Sequence, residues 1–144
     1  MKPCFLRPRF GTVRAARHEN AGTMKTKTIF TRFHFAICGI RATLASEWAF
    51  RTELLCFVAV LFVLVLTRPD PIWWALVFLT SGALLAVELV NTAVEKLADH
   101  LHPKIHPALK IVKDTLAGAV LMMATAAVLV FLAFLWMLMT PLLK

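Results

Sequence analysis

The chain has 144 residues, is 60% hydrophobic and has a mean hydropathy of +0.76. A water-soluble domain of this size would leave much of that apolar material on its surface, so composition excludes one and points to a bilayer. The net charge of +8 gathers toward the N-terminus, with ten of the sixteen Lys and Arg residues between Met1 and Arg51. Because that charge flanks apolar segments, anionic lipid headgroups are the expected partner and nucleic acid is not.

Residues 1–28 form a basic extension, with Pro3, Pro8, Gly11 and Gly22 and no sustained periodicity, and disorder is expected there. No apolar core or small-residue cleavage site marks a signal peptide, and Met24 offers a second start. From Ile29 to Ser46, within a surface helix set at 29–48, the pattern is helical and amphipathic. Ile29, Phe30, Phe33, Ile37, Ile40 and Leu44 make an apolar stripe beside Arg32, His34 and Arg41, as in a helix lying at a membrane surface.

Three apolar segments follow, at about 52–67, 72–98 and 115–139, each long enough or nearly so to span the hydrocarbon. Arg68-Pro-Asp-Pro71 predicts a tight turn, and Pro103 and Pro107 interrupt the longer connection after the second segment. The fold class is therefore an all-α membrane protein, with a surface helix plus three transmembrane helices in one domain over 29–144. Positive charge places the N-terminus and the 96–114 loop in the cytoplasm, with Trp73, Trp74 and Trp136 at the outer interface. Cys4, Cys38 and Cys56 are odd in number and form no CxxC pair, so reduced thiols are expected.

The second span carries the chemistry. Glu88, Asn91, Glu95 and Asp99 fall at i, i+3, i+7 and i+11, which directs them within roughly 60° of one another on a helix. An Asn alone would suffice to join helices, whereas three acids near hydrocarbon call for cationic or metal partners. Counted from Ile72, Glu88 lies about 24 Å along a core roughly 30 Å thick, while Glu95 reaches the headgroup layer. Glu88 can thus meet a group just beneath the headgroups, and Glu95 can meet water, metal ions and nucleotide. A reaction joining a lipid hydroxyl to a soluble phosphate donor needs that division.

Two further clusters lie on the same membrane face. Glu47 and Arg51, at i and i+4, suit a surface ion pair, and Glu47 also suits a divalent cation. Lys113 and Asp114 stand at the mouth of the third span, where a lysine either holds a phosphate or snorkels. His100, His102 and His106 fit no standard zinc spacing and suit an interfacial or nucleotide-contacting role. No GxxxxGK(S/T), GxGxxG, HRD or DFG segment is present, so any use of ATP needs another architecture.

These residues resemble the prokaryotic diacylglycerol kinase family, which includes undecaprenol kinases. The resemblance covers about residues 30–140. It rests on Gly39-Ile-Arg41, Glu47-Trp-Ala-Phe-Arg-Thr-Glu53, Val87-Glu-Leu-Val-Asn-Thr-Ala-Val-Glu95 with Asp99, and Lys113-Asp114 followed by Ala117-Gly-Ala-Val120. It implies a homotrimer of three-span protomers with active sites shared between subunits, in the bacterial inner membrane. It implies Glu88 as general base, and Glu47 and Glu95 as ligands of Mg²⁺ on ATP, with Asn91 assisting. Lys113 would contact the transferring phosphate, while Asp99, Lys104, Ile105, His106 and Asp114 would contact the nucleotide. Ala49, Phe50, Arg51, Thr52 and Glu53 would line the lipid site with Glu88.

The family's arginine before the surface helix has three candidate counterparts, Arg32, Lys27 and Lys25. The Glu-x-Ala-Phe-Arg-x-Glu form is more similar to diacylglycerol kinases than to undecaprenol kinases, so diacylglycerol ranks first as substrate. A small proton-coupled transporter is the alternative of another class. Against it, the acids crowd one boundary and leave no polar path through the spans.

Overall fold

The computed structural model describes residues 29–101 and 107–140, and among these helix is the sole regular secondary structure. The helices are α1 (Ile29–Ser46), α2 (Trp48–Thr67), α3 (Pro71–Leu101) and α4 (Pro107–Met139). By internal contacts the chain divides into two units, Met1–Ala42 and Thr43–Lys144. In the first, the described residues are helical and largely exposed, with His34 Nε2 3.7 Å from Cys38 Sγ one turn on. Cys38 is disulfide-bonded, which corrects the expectation of a reduced thiol there, whereas Cys56 is free and exposed. Cys4 and the rest of the N-terminal extension lie outside the described residues.

In the second unit, α2, α3 and α4 are each long and apolar enough to cross a membrane. Their limits differ from the expected ones. The first helix ends at Ser46, where the amphipathic pattern ends, and α2 begins at Trp48 rather than near 52. Residues 48–51, Trp-Ala-Phe-Arg, lie before the uninterrupted apolar run yet already belong to the helix of the first span. A single residue separates α1 from α2: Glu47, extended at φ −109° and ψ 120°. The last turn of α1 would leave carbonyls unpaired at this break. Arg51 supplies the missing donors, with Nε 2.5 Å from the Leu44 carbonyl and a second bond from Nη2 to the Ala45 carbonyl.

The α2–α3 turn is tight, as expected. Arg68 takes the left-handed conformation (φ 46°, ψ 54°), and its N–H bonds the Leu64 carbonyl at 2.9 Å to close α2. Pro69 cannot continue that helix, and Pro71 opens α3, where its fixed φ and missing N–H cost nothing.

α3 packs most extensively on α4 and less on α2. The core sits near the turn end of these helices, where Leu64 and Phe134 are fully shielded and Val77 nearly so. Trp73 joins it, its ring 5.5 Å from that of Phe134, while Phe57 meets Phe78 edge-on at 5.6 Å. Trp73 and Trp74 are therefore half-buried parts of the packing, unlike Trp136, which is 70% exposed. Elsewhere large apolar side chains such as Phe62, Leu79 and Met122 lie open, which suits a hydrocarbon or protein neighbour and not water.

Candidate active site

The polar stripe on α3 runs from buried to exposed. Glu88 is 5% exposed and Asn91 9%, Glu95 is half-buried, and Asp99 is open. The heptad-like spacing aligns these groups along one face of α3. Thr92, adjacent to Asn91, is buried as well.

Glu88 lies within electrostatic reach of Glu95 on its own helix and of Glu47 at the α1–α2 break. Glu53, on α2, lies within such reach of Glu88. Four carboxylates expected from the sequence thus converge, although they come from two segments of chain. The Asn91 amide nitrogen donates to Glu95 Oε1 at 3.4 Å, while its buried oxygen Oδ1 has no partner. Glu53 Oε2 is likewise buried and unpaired. Buried acceptors without donors are costly unless a ligand or neighbour satisfies them.

Glu47 is held otherwise than its i,i+4 spacing with Arg51 suggests. Its Oε1 accepts from the Ser46 hydroxyl at 2.9 Å and pairs with Lys96 Nζ at 3.2 Å. The hydroxyl first and the ammonium second hold the Glu47 carboxyl below its ordinary pKa. Lys96 Nζ also donates to Ser46 Oγ at 2.6 Å. Neither Lys96 nor Ser46 stands out in the sequence, because the lysine follows Glu95 but meets residues about fifty positions away.

Lys113 and Asp99 are brought together, Nζ to Oδ1 at 2.5 Å, joining the start of α4 to the end of α3. Asp114 pairs instead with Lys110 at 2.5 Å, an i,i+4 contact whose spacing was legible in the sequence. Of the residues named for the lipid site, Ala49, Arg51 and Thr52 are exposed, and Phe50 is buried at 3%. Lys104, Ile105 and His106 lie outside the described residues, as do Lys25, Lys27 and His102, while Arg32 is exposed on α1.

Below this polar end, α2, α3 and α4 enclose a cavity of about 460 Å³. Its walls are almost wholly apolar, including Phe57, Val60, Leu84 and Phe131, and Thr52 and Glu53 stand among its few polar groups. An apolar cavity with the Glu53 carboxylate in its lining can take a molecule with an aliphatic body and a polar end.

Among the described residues, no three His, Cys, Asp or Glu side chains are placed to enclose a metal ion. Glu47 and Glu95 each lie within electrostatic reach of Glu88, and Asn91, one turn before Glu95, keeps an unpartnered Oδ1, which makes these three the available oxygen donors. That set fits Mg²⁺, which commonly keeps one or two carboxylates and completes its shell with phosphate oxygens and water.

Comparison with known proteins identifies the family. The profile of the family described as prokaryotic diacylglycerol kinase matches residues 34–135. An undecaprenol kinase of Bacillus subtilis (strain 168) is 35% identical over 101 residues, covering 70% of this chain and 82% of the relative. A diacylglycerol kinase of Synechocystis sp. is 36% identical over 103 residues, or 71% of this chain and 59% of that longer relative. A third, a diacylglycerol kinase of Helicobacter pylori (strain J99), is 30% identical over 111 residues, 76% of this chain and 82% of the relative. A chain matched over most of its length by such relatives, with its carboxylates gathered at one end of three apolar helices, belongs to the prokaryotic diacylglycerol kinase family and is a lipid kinase.

Proposed function

We propose that this protein transfers the γ-phosphate of ATP to the hydroxyl of diacylglycerol, giving phosphatidate at the cytoplasmic face of the bacterial inner membrane. The observation that carries this reading is Glu88, a carboxylate buried in an apolar helix between the cavity side and the exposed end of the polar stripe. A carboxylate so placed can take the proton from an alcohol whose chains lie in hydrocarbon. The alcohol oxygen then bonds to the γ-phosphorus as the bond to the bridging oxygen breaks, and ADP departs with that oxygen.

Glu47 and Glu95, assisted by Asn91, hold Mg²⁺, whose contribution when bound is to neutralise charge on the phosphates. Lys113 exchanges Asp99 for a phosphate oxygen, while Asp99, Asp114, Lys104, Ile105 and His106 position the nucleotide. Glu53 and its neighbours Ala49, Phe50, Arg51 and Thr52 receive the polar end of the lipid. Catalysis is then mainly positioning and charge neutralisation, as in phosphoryl transfer generally. The chain works as a homotrimer in which neighbouring subunits complete each site.

Undecaprenol is the second reading, favoured by the 35% identity to the Bacillus subtilis undecaprenol kinase. It uses the same residues on a longer-chained alcohol. Membership in a kinase family sets the transporter alternative aside. The test is purified protein in mixed micelles with labelled ATP and either lipid. Labelled phosphatidate is expected, and labelling of undecaprenol alone would overturn the first choice. In the same assay Glu88→Gln is expected to lower turnover by about 10²–10⁴-fold. Near-normal turnover would remove the base assignment.

A further inference from the structure

Lys96 has no part in the scheme above, yet it makes the closest charged contact to Glu47. Its ammonium lies 3.2 Å from Glu47 Oε1 and 2.6 Å from Ser46 Oγ, and Ser46 in turn donates to the same carboxylate oxygen. Ser46, Glu47 and Lys96 therefore form a closed three-membered ring of contacts. Two of its members come from the break between α1 and α2, and the third comes from α3.

The neighbourhood explains why a cation belongs there. Glu47 and Glu95 both lie within electrostatic reach of Glu88, and a cation beside them relieves the repulsion among like charges. The position of Lys96 follows from its place in the chain. One residue past Glu95, it turns about 100° off the stripe, toward the side where the Glu47 break approaches α3. The pair is half-exposed on the lysine side, so it is weak enough to be displaced.

We infer that Lys96 is a built-in counter-ion, a positioning residue that holds Glu47 in the metal-free state and must leave it before that carboxylate can bind a divalent ion. This inference rests on the Mg²⁺ reading proposed above. It adds that metal binding is a competition with an internal lysine. The ammonium keeps the carboxylate ordered and close to the other acids, at the expense of metal affinity. The ring with Ser46 is the catch that holds it in place.

The experiment is Mn²⁺ binding, followed by electron paramagnetic resonance, on protein purified in detergent and saturated with a non-hydrolysable ATP analogue, whose phosphate oxygens complete the metal's shell. Lys96→Gln is expected to tighten Mn²⁺ binding about two- to fivefold, the factor that a half-exposed ion pair withholds. Lys96→Arg keeps the competitor and should stay near wild type. Ser46→Ala, which changes no charge, should shift affinity in the same direction as Lys96→Gln by loosening the catch. In a Glu47→Gln background the effect of Lys96→Gln should vanish, since nothing remains to compete for.

Unchanged or weaker binding in Lys96→Gln, with helicity and oligomer size intact, would overturn the inference. So would equal tightening in the Glu47→Gln background, which would reduce Lys96 to a general electrostatic influence. No Mn²⁺ binding by wild type or Lys96→Gln would instead defeat the metal reading, and the inference with it.

Discussion

At the scale of single residues, the α3 stripe divides its work by burial. Glu88 is enclosed and Glu95 is partly open, although both occupy one face of one helix. Glu95→Gln leaves the neutral hydrogen-bonding shape and removes the charge. It should therefore raise the Mg²⁺ concentration for half-maximal turnover by at least about tenfold, the scale on which metal sites respond to altered ligands. A titration of activity against Mg²⁺ checks this, and an unchanged midpoint would take Glu95 out of the metal set. The stripe itself was legible, because 3.6-residue periodicity places Glu88, Asn91 and Glu95 together without any tertiary information. The partner of Glu47 was not. Local spacing offered Arg51, four residues away, but the structure gives the carboxylate to Lys96 and turns Arg51 to the carbonyls of Leu44 and Ala45. Sequence neighbours compete poorly with a distant helix once packing sets the approach.

At the scale of elements, the α1–α2 junction depends on Arg51. Its guanidinium serves two carbonyls that the one-residue break would otherwise leave unpaired. Arg51→Met, which keeps the aliphatic stem, should lower stability by about 1 kcal/mol, the net worth of a hydrogen bond at a partly exposed site. Thermal unfolding in detergent measures it, and an unchanged midpoint would show that water replaces the guanidinium. The apolar spans were plain in the sequence, because runs of Leu, Val, Ala and Phe admit few alternatives to a membrane helix. Their ends were not plain. α2 begins at Trp48 and α4 at Pro107, both inside polar stretches where hydropathy is silent and where ion pairs such as Lys110–Asp114 and Lys113–Asp99 support the helix.

At the scale of the whole molecule, little of the apolar surface is covered by the chain itself. Among the described residues only six hydrophobic side chains are buried, while Leu55, Leu79, Leu121 and Met122 are more than two-thirds exposed. Lipid covers part of such a surface. The unpaired buried oxygens Asn91 Oδ1 and Glu53 Oε2 mark where a neighbour or ligand would contribute more than lipid can. The proposed trimer is checked by native mass spectrometry from micelles, where a mass of three chains is expected and a persistent monomer would refute shared sites. Trp73, which the sequence places near a span end, also packs its ring on Phe134.

The aromatic core and the carboxylates lie toward opposite ends of the same helices. Leu64 follows Glu53, and Glu88 follows Val77, by eleven residues, or about 16 Å of helix. Mutational tolerance should divide along that axis. Leu64, Val77 and Phe134 set how firmly the helices hold together, and Val77 lines the cavity as well, so tolerance should be greatest in the walls that stand clear of that cluster, such as Ala59, Ser81 and Leu85. A scaffold with that separation can drift from one lipid alcohol to another through changes in the walls alone, a latitude consistent with kinases of two different alcohols among its relatives.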